Sequence, residues 1–240
     1  MRSTALRTTA SQFADRVWPA DRGYDLVAGE YDRWYWQAFW RANELPLVVR
    51  ELGACTTGLS ALDAGTGTGQ YLGVLQQQGY ESTGLDVSGE MLRMARRKLG
   101  ADSHLVLGAL ESAPLHAEAF DVVIACRVLS HVKRLDVAFK ELARVTKPGG
   151  RLLLTDVSAE HNYVTTRIPT RSGDVRIQTF KHDTSAVFSS GTRYAGWQVE
   201  RMEEIRFRDL IAPPSPVDYP SIDVSSGSPI FYFAVMSRTS

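Results

Sequence analysis

The chain has 240 residues, 44% hydrophobic and 22% charged, with 27 Lys plus Arg against 27 Asp plus Glu. This length and composition fit one globular domain with elaborations and exclude disordered and fibrous classes. Zero net charge gives no reason to expect nucleic acid or an anionic membrane as the main partner, and no apolar run approaches the ~18 residues of a membrane span.

The opening MRSTALRTTASQF lacks the apolar core of a secretory signal, and residues 1–20 read as a loose tail. Residues 21–52 read as a helical lid. Four of the five Trp stand at 18, 34, 36 and 40, with Tyr24, Tyr31, Tyr35 and Phe39 among them. Such a concentration either caps the core with aromatic bulk or closes over a ligand cleft, and the two can both hold. From Leu59 short apolar runs alternate with helical patterns, the βαβ rhythm of a parallel sheet. Strands are expected at 59–64, 81–87, 103–108, 120–127 and 151–156. A helix over 68–78 is stopped by Gly79, and a second, capped by Ser88, ends at Gly100 with Arg96, Arg97 and Lys98 as a solvated C-terminal turn. LDVAFKELARV forms a third helix, with Val137, Leu142 and Val145 turned inward, closed by the Lys147–Gly150 turn. Residues 157–182 read as an irregular insertion, 183–195 as a helix, 199–209 and 229–236 as closing strands, and the Pro- and Ser-rich stretch between those strands as a surface loop. Cys55 and Cys126 read as small buried apolar positions and not as a disulfide framework, which suits a reducing, cytoplasmic setting. The whole chain is expected to be one domain: lid, core at 59–157, substrate-side insertion and helix at 158–198, and closing strands at 199–240.

The informative segment is LDAGTGTGQ, strand to loop to helix, with Gly65, Gly67 and Gly69 at alternate positions. Glycines there let the backbone turn tightly and approach a ligand. Gln70 stands where the dinucleotide fingerprint wants Gly or Ala, and no Lys followed by Ser or Thr opens the helix as a phosphate loop requires. Asp63, two residues before the first glycine, would repel a pyrophosphate and favour an ammonium or sulfonium. Asp86 closes the second strand, where an acidic residue of a doubly wound sheet accepts from both ribose hydroxyls. The loop therefore suits a cationic, phosphate-free nucleoside.

DAGTGTG, GLDVSGEML, FDVVIACRVLSHV and ELARVTKPGGRLLLTD resemble the successive motifs of class I S-adenosylmethionine-dependent methyltransferases of the ubiquinone-biosynthesis and natural-product type. YDLVAGEYDRW at 24–34 resembles the family's N-terminal lid helix. The resemblance implies a Rossmann-like, doubly wound, mainly parallel seven-stranded sheet with an antiparallel last strand, and S-adenosylmethionine as cofactor. It implies that Gly65, Thr66 and Gly67 lie along the methionine moiety, that Asp63 organises its ammonium end, and that Asp86 binds the ribose. Val87 and Met91 would wall the adenine, Tyr31 would close the methionine end, and Ala109, Leu110 and Cys126 complete the implied cofactor set. Where the family often carries Gly-Asp-Ala, this chain reads Gly108-Ala109-Leu110, leaving the adenine to backbone groups or Glu111.

Methyl transfer from a sulfonium is an in-line displacement in which alignment dominates, and a base helps when the acceptor is a hydroxyl. His131, just after the fourth strand, and His182, in the insertion, are the candidate bases, each with an ordinary imidazole near the working pH. His104, His116 and His161 are weaker candidates. No metal-ligand spacing is present, so a metal-dependent mechanism is not expected. The acceptor is expected to be a small molecule of secondary or cofactor metabolism, held by Tyr24, Tyr35, Trp36 and Arg127; Arg127, Arg167, Arg171 and Arg176 could pair with a carboxylate on it. The alternative is a member that keeps the fold and binds the nucleoside without methylating, as a partner subunit or a cyclase-type enzyme.

Overall fold

The computed structural model describes residues 16–55, 58–160, 165–212 and 227–239. The N-terminal part runs through a two-residue strand β1 (Val17–Trp18), α1 (Ala20–Val27), a 3₁₀ turn at Tyr31–Arg33, α2 (Tyr35–Asn43) and α3 (Leu45–Leu52). The core follows as β2 (Ser60–Ala64), α4 (Gln70–Gln77), β3 (Glu81–Asp86), α5 (Gly89–Leu99), β4 (His104–Leu107), β5 (Phe120–Cys126), α6 (Leu135–Val145) and β6 (Thr146–Val157). Then come β7 (Thr165–Thr170), β8 (Gly173–Gln178), α7 (Thr184–Ala195), β9 (Trp197–Arg206) and β10 (Pro229–Arg238).

Seven strands form one sheet in the order β4-β3-β2-β5-β6-β10-β9. The first five pair in parallel, and β10 runs antiparallel to both β6 and β9, so it alone opposes the others. The strand order reverses between β2 and β5, which opens a crevice at their carboxyl ends. Helices cover both faces, and this is why the strands are apolar at consecutive positions. Leu62, Val123, Ala125, Leu152 and Leu154 pack with Phe139 and Leu142 of α6 on one face. Ala61, Val122, Ile124 and Leu153 pack with Phe39, Trp40, Val48 and Leu75 from α2, α3 and α4 on the other.

Several boundaries differ from the sequence reading for local reasons. The helix expected over 68–78 spans 70–77, because Gly69 is left-handed (φ +82°) and its missing side chain leaves room for Leu99; a Cβ there would stand 2.8 Å from that leucine. Val137 is only half-buried, since Ala138 and Phe139 take the inner face of α6. Cys126 is buried, but Cys55 is only partly so, accepting from the Leu59 amide at 3.3 Å. The penultimate strand spans 197–206, with a 3₁₀ turn at 207–209.

Residues 157–182, expected to be irregular, contain an antiparallel hairpin, β7 against β8, to which β1 adds in parallel. The signal was faint because only Ile168, Val175 and Ile177 alternate inward; Pro169 falls on β7, at the sheet edge where a missing amide is tolerated. These three residues pack with Val27 and Ala28 at the end of α1 and with Met91, so the hairpin and the N-terminal segment share one apolar cluster. The expected loose tail is accordingly tied down from Val17 onward. Residues 1–15, His161 and most of the Pro- and Ser-rich loop lie outside the described residues.

Candidate active site

The glycine loop bends back under the end of β3, with the Gly65 and Thr66 amides both donating to the Leu85 carbonyl at 2.8 and 2.9 Å. Gly65 takes φ +80°, and a Cβ there would come within 2.8 Å of Val128. Asp86 sits at the end of β3, its Oδ2 accepting from the Gly67 amide at 2.8 Å and its Oδ1 from the Ser88 amide at 2.8 Å. It therefore pins the loop to the start of α5, whose cap is Ser88 accepting from the Met91 amide. Burial raises the Asp86 carboxyl, opposed by those amides.

The lid is fastened to this frame by two carboxylates. Asp25 accepts from Ser88 Oγ at 2.6 Å and from the Glu90 amide at 3.1 Å. Asp32 accepts from Thr68 Oγ1 at 2.5 Å and pairs with Lys98 Nζ at 2.7 Å. Asp25 thus reaches the first turn of α5, and Asp32 reaches the glycine loop and the last turn of α5, which sets the N-terminal segment beside the crevice. Lys98, expected to be part of a solvated helix end, is the cation of one anchor.

Two cavities result. The first, about 260 Å³, is lined by Tyr31, Gly65, Thr66, Gly67, Asp86, Val87, Met91, Ala109, Leu110 and Cys126, ten of the eleven residues expected to face the cofactor. Glu111 also lines it. The eleventh, Asp63, lies behind the loop, 1% exposed, where it accepts from Thr66 Oγ1 at 2.7 Å. Burial pushes its carboxyl up to about 7. It shapes the loop and does not line the cavity. The second cavity, about 310 Å³, is walled by Trp34, Tyr35, Trp36 and Trp40 and reaches Thr165, Thr166 and Arg167 of β7. Tyr24, Tyr31, Arg127 and His131 line both and form the wall between them.

His131 is placed where the sequence reading put it, but its chemistry differs. Its Nδ1 stands 2.8 Å from the Gln178 carbonyl, which can only accept, so Nδ1 carries the proton and Nε2 accepts from the Tyr24 hydroxyl at 2.8 Å. Desolvation pushes the imidazole down to about 4, against the ordinary value expected from sequence. His182 is not brought to the site: it lines neither cavity, and its Nε2 donates to the Val132 carbonyl at 2.7 Å. Arg171 and Arg176 also line neither cavity.

Glu44, which the sequence reading missed, is 0% exposed at the start of α3. It accepts from the Tyr71 hydroxyl and from Thr155 Oγ1 at 2.5 Å, and pairs with Arg127 Nε at 2.9 Å. Arg127 has a left-handed backbone (φ +57°), and its guanidinium carbon lies 5.0 Å from the centre of the Trp40 ring. Burial works against the Arg127 charge, and the Glu44 carboxylate outweighs it, holding the guanidinium firmly protonated. Nothing in the local pattern around Glu44 marks it; its role arises only when α3 docks against β5 and β6.

Gln37 (2% exposed) and Gln70 both line the first cavity, and each has a buried side-chain Nε2 with no hydrogen-bond partner among the described residues. Buried amides of this kind are costly unless a ligand satisfies them. Gln70 opens α4 directly after the glycine loop, so the unmet donors suit the carboxylate of an amino-acid moiety, while Asp86 suits a ribose. No phosphate-binding lysine lines the cavity. The residues fit an amino-acid-bearing nucleoside.

Fold and cleft together define a doubly wound nucleoside-binding α/β protein. Residues 62–154 match the methyltransferase domain family. The malonyl-acyl-carrier-protein O-methyltransferase of Serratia marcescens is 36% identical over 108 residues, covering 45% of this chain and 42% of that enzyme. The ubiquinone/menaquinone biosynthesis C-methyltransferase of Syntrophotalea carbinolica is 40% identical over 120 residues, covering 48% of this chain and 50% of that one. The chain thus spans half or less of the length of these curated relatives. A Haloferax volcanii protein solved in complex with a methyltransferase activator superimposes with a TM-score of 0.70 at 18% identity, over 92% of this chain and 98% of that one. Residues 62–154 are thus similar to a methyltransferase domain, and the fold is that of solved S-adenosylmethionine-dependent methyltransferases.

Proposed function

We propose that this protein transfers a methyl group from S-adenosylmethionine to a small-molecule acceptor by in-line displacement. The observation that carries this reading is the pair of cavities sharing one wall, with a nucleoside-type cleft on one side and an aromatic chamber on the other. The setting proposed, secondary or cofactor biosynthesis, rests on the likeness to the ubiquinone/menaquinone relative.

S-adenosylmethionine, when bound, supplies an already activated methyl group, so the chain's task is mainly alignment. Asp86 would accept from the ribose, Val87, Met91 and Leu110 would wall the base, and Gln37 with Gln70 would hold the carboxylate. On the acceptor side the Tyr24 hydroxyl stands in front of His131 Nε2. A hydroxyl on the acceptor is therefore met first by Tyr24, whose phenol oxygen can accept from it while donating its own proton to the neutral Nε2, which Gln178 orients. With its imidazole held down at about 4, His131 acts from behind as a positioning residue. Calorimetric titration with S-adenosylhomocysteine tests the cofactor half: the parent should bind, and Asp86→Ala, losing a charged acceptor of two hydroxyls, should weaken binding by about 2–3 kcal/mol, roughly 30- to 150-fold. Equal binding by a folded variant would refute the assignment.

A further inference from the structure

Resting on that reading, we propose that the second cavity takes an uncharged aromatic acceptor carrying an oxygen function, phenolic in class, and rejects carboxylates. Among the described residues two charged side chains line this cavity, and each already has its counter-ion. Arg127 pairs with fully buried Glu44, and Arg167 is held by Asp174, with Nε to Oδ2 at 2.5 Å. His131 adds no charge, since burial keeps its imidazole neutral at ordinary pH. A carboxylate entering such a chamber would lose its hydration and find no unpaired cation. The remaining wall is made of rings and neutral hydroxyls. Trp34, Tyr35, Trp36 and Trp40 supply flat apolar faces suited to offset or edge contact with another ring. Trp36 and Trp40 stack on each other at 5.6 Å, a rigid arrangement that an apolar tail alone would not require.

One polar atom sharpens the chemistry. The Trp34 Nε1–H is buried without a hydrogen-bond partner among the described residues, although Trp34 lines the cavity. It can be satisfied only by an acceptor, which an oxygen on the bound ring would provide, and the hydroxyls of Thr165 and Thr166 offer further neutral contacts. The chamber thus presents neutral donors around an aromatic slot. The Arg127–Glu44 pair serves as its neutral floor and not as an anion hook.

The test titrates the full-length protein, saturated with S-adenosylhomocysteine, with 2-naphthol and with 2-naphthoate at neutral pH, by calorimetry. The same ring is then offered uncharged or as a carboxylate. The proposal expects 2-naphthol to bind at least about tenfold tighter than 2-naphthoate, and Trp34→Phe, which keeps a ring and removes the N–H, to weaken 2-naphthol by about threefold or more. Equal or tighter binding of 2-naphthoate overturns the charge argument. Unchanged naphthol affinity in Trp34→Phe overturns the assigned donor. If S-adenosylhomocysteine itself fails to bind, the methyl-transfer reading falls first and this inference with it; if it binds and neither naphthyl probe does, the inference alone falls.

Discussion

Replacing Glu44 by Gln probes the least conspicuous part of the site. The side chain is completely enclosed and receives Tyr71 and Thr155 as hydroxyl donors and Arg127 as a cation at 2.9 Å. Glutamine keeps one carbonyl oxygen as an acceptor, but it loses the other acceptor oxygen and the negative charge, and leaves the Arg127 charge without compensation. Breaking a buried ion pair by removing one partner costs about 3–5 kcal/mol, and Glu44→Gln is expected near that range. Urea denaturation of the parent and variant reads it as a fall in midpoint at unchanged slope. Arg127→Met in the same background should recover part of the loss, because the stranded charge disappears with its partner. A loss under about 1 kcal/mol, or additivity of the two single changes, would refute the claim that the pair is one buried unit.

Gln37→Ala should weaken S-adenosylhomocysteine about tenfold or more yet leave methylthioadenosine, which lacks the carboxylate, unchanged; equal weakening of both would make Gln37 merely structural. His131→Gln and Tyr24→Phe should each lower turnover on a hydroxyl acceptor by about tenfold or more while S-adenosylhomocysteine affinity stays within about twofold, and a variant that loses nucleoside binding instead would remove that residue from the acceptor side. His131 is held down at about 4 against 6.5, so the stability it contributes is full above 6.5 and is lost as pH falls toward about 4. Asp63, raised to about 7, has the opposite sign and loses its contribution as pH rises through that value. Comparing the pH–stability curves of His131→Gln and the parent isolates the first effect, and identical curves between pH 4 and 6.5 would contradict it. The lid, fastened through Asp25 and Asp32, should gain hydrogen-exchange protection over residues 20–43 when S-adenosylhomocysteine binds, whereas equal protection in both states would leave it a fixed cap.

The cofactor side was legible in the sequence because its determinants are local. Glycines at alternate positions, an acid at the end of the next strand and a capped helix after it leave few backbone choices, and ten of the eleven expected contacts line one cavity. Asp63 was misplaced because period-two alternation along β2 could not say that its side chain turns beneath the loop toward Thr66. The acceptor side was half legible. The aromatic run marked the chamber, but the hairpin opposite it has three inward apolar residues and a proline, too few for a strand pattern. His182 could not be separated from His131 by sequence, since the docking of residues 178–182 against 130–132 decides which imidazole meets the cleft. The depressed imidazole and the Glu44–Arg127 pair are long-range products of packing: Tyr24 is 107 residues from His131 in the chain, Gln178 is 47, and Glu44 lies far upstream of Arg127.

In the proposed reaction a methyl group crosses the wall formed by Tyr24, Tyr31, Arg127 and His131. The direct measurement is incubation of the protein with methyl-labelled S-adenosylmethionine and a small-molecule extract of its source, followed by separation of small products from macromolecules. Label is expected in a low-molecular-weight product, formed in step with S-adenosylhomocysteine and lost in Asp86→Ala. Label in protein or RNA, or S-adenosylmethionine that binds and is never consumed, would contradict it.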